Sequence, residues 1–114
     1  MPTPDNVTPS YVTLSHVTRN DDRNRYELEV DGKLAVSEYN RLTRAVMFTH
    51  TEVPEALEGQ GVGSALARGA LDDVRAQGLT VIPLCPFVAA FIRRHPEYLD
   101  LVSAVSRSQV ERQA

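Results

Sequence analysis

The sequence predicts an α/β fold: a mixed, mostly antiparallel sheet with two main helices and one strand–helix–strand crossover. Three observations predict it. The first half of the chain alternates in polarity between turn signals. Residues 62 to 77 repeat apolar side chains at helical spacing. A short apolar strand follows that helix, the order a parallel crossover requires. The 114 residues make one domain, and their 42% hydrophobic content supplies one modest core.

Residues 1 to 10 hold three of the seven prolines among Thr, Ser, Asp and Asn, which is the composition of a flexible leader. Tyr11 to Val17 alternates in part and is expected to form a first strand, followed by a polar turn over Arg19 to Asn24. Tyr26, Leu28 and Val30 then alternate with Glu27 and Glu29, the pattern of a strand with one buried face. Asp31-Gly32 closes a hairpin because both positions tolerate positive φ. The return strand runs from Lys33 to about Asn40, a turn occupies Arg41 to Arg44, and Ala45 to Val53 forms a long strand.

At Pro54 the character changes. A loop with Gly59 and Gly61 precedes a helix from Val62 to about Gln77, whose inner stripe is Val62, Leu66, Ala70 and Val74. Arg68, Asp72 and Arg75 are spaced to pair along its outer face, and Gly78 provides a left-handed stop. Leu79 to Leu84 is the parallel strand. Pro86 suits a first helical turn, Phe87 to His95 makes a short second helix, and Pro96 ends it. Leu99 to Ser103 reads as a last strand. The domain therefore spans 11–104, with a polar tail over 105–114.

Composition narrows the function. A net charge of -3 lacks the basic footprint of a nucleic-acid binder. No apolar run approaches the roughly 20 residues of a membrane span, and Met1-Pro-Thr-Pro-Asp5 is not a secretory signal, so a cytoplasmic protein with no membrane partner is expected. One cysteine, Cys85, excludes an internal disulfide or a multi-cysteine metal site; with His16 and His95 isolated, no metal is expected.

The segment Val53-Pro-Glu-Ala-Leu-Glu-Gly-Gln-Gly-Val-Gly-Ser-Ala-Leu66 carries the chemistry. A strand delivers a loop with glycines at 59, 61 and 63, and the loop opens a helix. The unpartnered amides of a helix N-terminus attract phosphate, and glycine lets the phosphate come close. The amides from Gly59 to Ser64 form either a pyrophosphate cradle or a plain turn packing a helix on a sheet. A P-loop needs Lys and then Ser or Thr after its last glycine, whereas Ser64-Ala65 follow Gly63. A dinucleotide fingerprint needs glycine where Ser64 stands.

The stretch Gly59-Gln-Gly-Val-Gly-Ser-Ala-Leu66 resembles the CoA-binding motif of the GCN5-related N-acetyltransferases, a Gln/Arg-x-x-Gly-x-Gly/Ala loop. The order of elements agrees from about Arg25 to Tyr98. His50-Thr-Glu-Val-Pro54, Pro83-Leu-Cys-Pro-Phe87 and Arg93-Arg-His-Pro-Glu-Tyr98 resemble hallmarks of a compact subgroup, the small N-acetyltransferase domain-containing proteins. The resemblance implies a sheet with a V-shaped split between its parallel strands and acetyl-CoA as acyl donor. Thr51, Glu52 and Val53 would meet the pantetheine arm, and Gly59, Gln60, Gly61, Val62, Gly63 and Ser64 the pyrophosphate. Two positions depart from the broad family. Glu58 replaces its Gln or Arg and is expected to turn to solvent, and Ile92 stands where a tyrosine general acid often lies, with Tyr98 beyond the helix stop.

Those departures draw attention to Cys85 and His50 as catalytic candidates. Cys85 precedes a helix N-terminus, where a thiolate is favoured, and a free cysteine is equally at home as a small buried hydrophobe. In a regular strand His50 shares a face with Val46, Phe48 and Glu52. From there His50 would deprotonate an acceptor amine or Cys85, and Cys85 would accept the acyl group or shape its pocket. Glu52 could act as a base through water, and Arg93 and Arg94 favour the helix C-terminus. The implied activity is N-acetylation of an amine by acetyl-CoA, with an open groove that suits a protein or peptide. The alternative is a non-catalytic acyl-CoA-binding or sensor module.

Overall fold

In a computed structural model, residues 17–102 are described, and they build one five-stranded sheet in the order β1-β2-β3-β4-β5. The strands are β1 (Thr18–Asn20), β2 (Arg25–Val30), β3 (Lys33–Arg41), β4 (Ala45–Glu52) and β5 (Thr80–Pro83). The first three junctions are antiparallel and β4–β5 is parallel. Helix α1 (Val62–Ala76) crosses from β4 to β5, and α2 (Pro86–Arg94) follows β5. This is the mixed, mostly antiparallel α/β architecture that the alternation and the single crossover predict.

The hairpin forms at Asp31-Gly32, with φ of 52° and 75°. Tyr26, Leu28 and Val30 of β2 join Tyr39, Val46 and Phe48 in the core. From α1 come Leu66, Ala70, Leu71 and Val74, and from α2 Val88, Phe91 and Ile92. Tyr26, Tyr39 and Phe48 form a ring cluster, with centroids 5.3 to 6.4 Å apart.

Three expectations are corrected. The Arg19 to Asn24 turn is shorter than its polarity implies. Thr18, Arg19 and Asn20 pair with Glu27, Tyr26 and Arg25, and only residues 21–24 turn. There Asn24 adopts a left-handed φ of 53°, while the Arg23 N–H bonds the Asn20 carbonyl and side chain. Apart from Val17, which lies outside any element, the predicted Tyr11 to Val17 strand falls outside the described residues, as do the leader and the 105–114 tail.

Of the last predicted strand, Leu99 to Ser103, Leu99 to Leu101 belong to a 3-10 helix over Pro96–Leu101 and Val102 makes one parallel bridge to Val81, while Ser103 falls outside the described residues. Pro96 starts that helix, and Tyr98 and Leu101 bury at its three-residue period. Tyr98 holds the segment against α1. Its hydroxyl donates to Asp72 at 2.7 Å, and the Arg68 and Arg75 guanidiniums lie 5.6 and 5.7 Å from its ring centre. The α1 charges expected to pair with one another along the helix reach across to this segment: Arg75 bonds both carboxylate oxygens of Asp100 and the Glu97 carbonyl, and Arg68 bonds the Tyr98 hydroxyl.

Three buried tyrosines lean on carboxylates in this way. Tyr26 donates to Asp73 and Tyr39 to Asp21, each at 2.7 Å. Burial first, and then the accepting carboxylate, push the Tyr39 and Tyr98 hydroxyls up from 10.0 to about 12, and Tyr26 moves the same way. The folded chain thus keeps protons that the unfolded chain releases near pH 10, and stability falls as pH rises from there toward 12. Urea midpoints should be flat with respect to these groups below that window and drop within it, together with the rise in tyrosinate absorbance. A midpoint unchanged up to pH 12 would contradict the assignment.

Candidate functional site

The site begins where β4 and β5 part. Parallel pairing covers Ala45–Phe48 against Thr80–Pro83, and the Cys85 N–H adds a last bond to the Phe48 carbonyl at 2.9 Å. Beyond that point β4 continues to Glu52 with β3 alone. The expected split is therefore the unpaired second half of β4 facing the β5–α2 turn.

A bulge lies in that half. Ser37, Glu38 and Tyr39 of β3 oppose Thr51, His50 and Phe48, so Thr49 is an extra residue on β4. Its hydroxyl donates to the Glu38 carbonyl at 3.3 Å. The extra residue reverses the alternation. Tyr39 packs on Phe48, and Ser37, two residues away on the same face, bonds Thr51. Thr51 thus takes the face of Phe48, and His50 takes the other. The regular-strand expectation that His50 shares the Phe48 face is corrected by this one inserted residue. His50 is exposed, and its Nε2 lies 3.5 Å from a carboxylate oxygen of Glu52.

Cys85 is 3% exposed within the core, and its sulfur lies 3.3 Å from Thr51 Oγ1. Its carbonyl accepts the first bond of α2, from the Ala89 N–H, and its side chain makes no cap bond. The structure brings Cys85 together with Thr51; His50 sits on the opposite side of β4.

An open pocket of about 440 Å³ occupies the gap at the start of α1. Thr51 and Val53 of the β4 end, and Gly59, Gly61, Val62, Gly63 and Ser64 of the loop and helix start, line it. Among the other residues expected to meet the cofactor, Glu52 turns to His50 and Gln60 bonds the Ala56 carbonyl at 3.2 Å; neither lines the pocket. The lining also includes Leu57, Glu58 and Phe87. Glu58 is exposed, as expected, yet it borders the pocket, because the 3-10 turn Glu55–Leu57 sets it down in extended conformation at the rim. Phe87 has a sequence signal in hindsight, since it is the first aromatic of a helix that starts at the split.

Gly61 is the N-cap of α1, with φ 78°, and Gly59 has φ 83°. The first bond into the helix runs from the Ala65 N–H to the Gly61 carbonyl, and no side chain caps this end. The amides of Val62, Gly63 and Ser64 therefore have no acceptor within the helix. A Cβ at Gly63 would stand 2.7 Å from the Phe87 ring and 3.3 Å from the Val53 side chain, so glycine lets the aromatic wall close on the loop. Among the described residues, no three His, Cys, Asp or Glu side chains assemble a metal site, and no helix is long and apolar enough to cross a membrane.

The split parallel pair, the left-handed glycine loop and the uncapped helix start meet at one strand end. The model of the GCN5-related N-acetyl-transferase family matches residues 25–101, and the chain belongs to that family. The chain is also similar to Protein NATD1 of Bos taurus, 37% identical over 59 residues, which are 50% of this chain and 52% of the relative. Protein NATD1 of Danio rerio is 34% identical over 61 residues, 52% of this chain and 56% of the relative. Protein NATD1 of Homo sapiens is 36% identical over 59, 50% and 52% respectively. The chain spans about half the length of the curated relatives it matches.

Proposed function

We propose that the protein is an acetyl-CoA-dependent N-acyltransferase acting on an amine of a protein or peptide in the cytoplasm. The observation that carries the reading is the pocket itself. It joins the uncapped start of α1 to the unpaired end of β4, so a pyrophosphate on the amides of Gly61 to Ser64 places a pantetheine arm along Thr51 and Val53. Phe87, Leu57 and Val53 give that arm an apolar wall. The thioester carbonyl then reaches backbone N–H groups of the unpaired β4 end, which stabilise the developing oxyanion.

His50, exposed across β4 from Thr51, is the proposed base for the acceptor amine through water, with Glu52 beside its imidazole. Direct transfer fits better than a Cys85 acyl intermediate, because the sulfur is almost fully buried and stands behind Thr51. The second reading, an acyl-CoA-binding module without turnover, is favoured by Glu58 at the pocket rim and by Ile92 in the core, where the resemblance would place a tyrosine acid.

Calorimetric titration with CoA and acetyl-CoA, paired with thiol release in the presence of lysine-containing peptides, tests both readings. Saturable binding with amine-dependent release is the expected result. Binding without release leaves the sensor reading, and no binding by folded protein removes both.

A further inference from the structure

Ser37 is 1% exposed and is the buried polar side chain among the described residues. Among the described residues its hydroxyl has one partner, Thr51 Oγ1, at 3.0 Å, and Thr51 Oγ1 is in turn 3.3 Å from Cys85 Sγ. Ser37, Thr51 and Cys85 so form a short chain from the core to the pocket, where only Thr51 is part of the lining. A hydroxyl has one proton and two lone pairs, and a thiol has one weakly donated proton. The Ser37 proton has no other acceptor in reach and a buried donor is costly to leave unpaired, so it goes to Thr51. The 3.3 Å contact between Thr51 Oγ1 and Cys85 Sγ admits either donor; with the thiol as donor, both lone pairs of Thr51 are occupied and its own proton is left for the pocket.

We propose that Thr51 is a catalytic residue, the proton donor to the departing CoA thiolate, with Ser37 and Cys85 as positioning residues that aim its hydroxyl. The inference rests on the acyltransferase reading above. The amine nitrogen attacks the thioester carbonyl and forms the new N–C bond. The C–S bond breaks with its electron pair on sulfur. In one shift, the thiolate takes the Thr51 proton while Thr51 takes the proton of Cys85. That exchange moves a proton from one alkyl thiol to another and leaves the charge on the buried Cys85 sulfur, to which the Thr51 O–H then donates. The proton lost by the amine passes by way of His50 to solvent, and one re-enters through Thr51 after the product thiol leaves. The net change is one amine and one acetyl-CoA to one amide and one CoA. The device supplies the proton that the tyrosine expected at position 92 would otherwise give.

Two measurements test it. The single cysteine gives one S–H stretching band in the infrared. In ligand-free protein this band should be lowered by donation to Thr51, should return to the free position in Thr51→Val, and should stay lowered in Thr51→Ser. A band unmoved by Thr51→Val overturns the arrangement. The second is thiol release with lysine-containing peptides, from acetyl-CoA and from the acetyl ester of thionitrobenzoate, whose thiolate departs without a proton. Thr51→Val should cost at least about 100-fold on acetyl-CoA, a deficit that shrinks to about fivefold on the activated ester and is largely restored by Thr51→Ser. Ser37→Ala should cost about fivefold, the worth of one hydrogen bond. Equal losses on both thioesters assign Thr51 to binding alone and overturn the proposal. So does wild type that binds acetyl-CoA in calorimetry but releases no thiol. Wild type that binds no acetyl-CoA refutes the acyltransferase reading and, with it, the proton-donor role, while the infrared band still reports the hydrogen-bond chain.

Discussion

Gly61→Asp should lower CoA affinity by at least about 100-fold while leaving the fold intact, since a charge-assisted hydrogen bond carries ~1.5–3 kcal/mol and several are lost together. Position 61 is the N-cap of α1 in a left-handed conformation, φ 78°. Aspartate is one of the few residues with a side chain that visits this region. It is also a strong N-cap, so its carboxylate would accept from the amides of Gly63 or Ser64 that the pyrophosphate needs. The substitution thus trades an external anion for an internal one. Gly61→Asn caps the same amides without the charge, and its smaller loss would separate occupation of the amides from repulsion. Calorimetry with CoA and a thermal melt of each variant provide the check. Undiminished binding by folded Gly61→Asp would move the phosphate away from this helix start.

The largest effect on stability is expected away from the pocket. Tyr98→Ala should cost about 3–5 kcal/mol, the range for removing a large buried ring, and Tyr98→Phe about 1–3 kcal/mol for a hydrogen bond lost from a carboxylate. The residue is 3% exposed, its ring is tilted against Phe91 with centroids 5.9 Å apart, and it lies beside two guanidiniums. Its hydroxyl holds Asp72 of α1. Removing it leaves a cavity beneath α2 and frees the 3-10 helix from α1 in one step. Urea unfolding of the three proteins measures the difference, and a Tyr98→Ala cost below about 1 kcal/mol would show that the cavity collapses.

Much of this was legible in the chain. The hairpin followed from Asp31-Gly32, α1 from its 3.6-residue stripe, and the glycine loop from its place between a strand and a helix. Helix boundaries came within a residue or two because Gly61, Gly78, Pro86 and Pro96 punctuate them. Features set by partners distant in sequence were not legible. Thr18 to Asn20 are too polar to read as a strand and become one by pairing with β2. Leu99 to Leu101 look like a strand and instead wind into a 3-10 helix, because Tyr98 is tied to Asp72, 26 residues earlier. The charges of α1 satisfy pairing rules along the helix, yet they find stronger partners in the chain that returns over it.

Seven lining residues were expected at the site: Gly59, Gly61, Val62, Gly63 and Ser64 from the glycine loop, and Thr51 and Val53 from the resemblance alone. Phe87 escaped because it comes from another element. The placement of His50 failed for a different reason: alternation is counted by twos, and nothing in Thr49-His50-Thr51 announces an extra residue.

That extra residue makes the bulge at Thr49 an absorber of parity. A strand is a ribbon with two sides, and an inserted residue would exchange every side chain beyond it unless a bulge takes it up. With Thr49 set aside in the bulge, a hydroxyl faces the thiol and the imidazole faces outward. Deleting Thr49 would leave His50 and Thr51 opposite Glu38 and Ser37, each on its present face. The faces at the end of β4 are thus held by the pairing with β3 and not by the residue count.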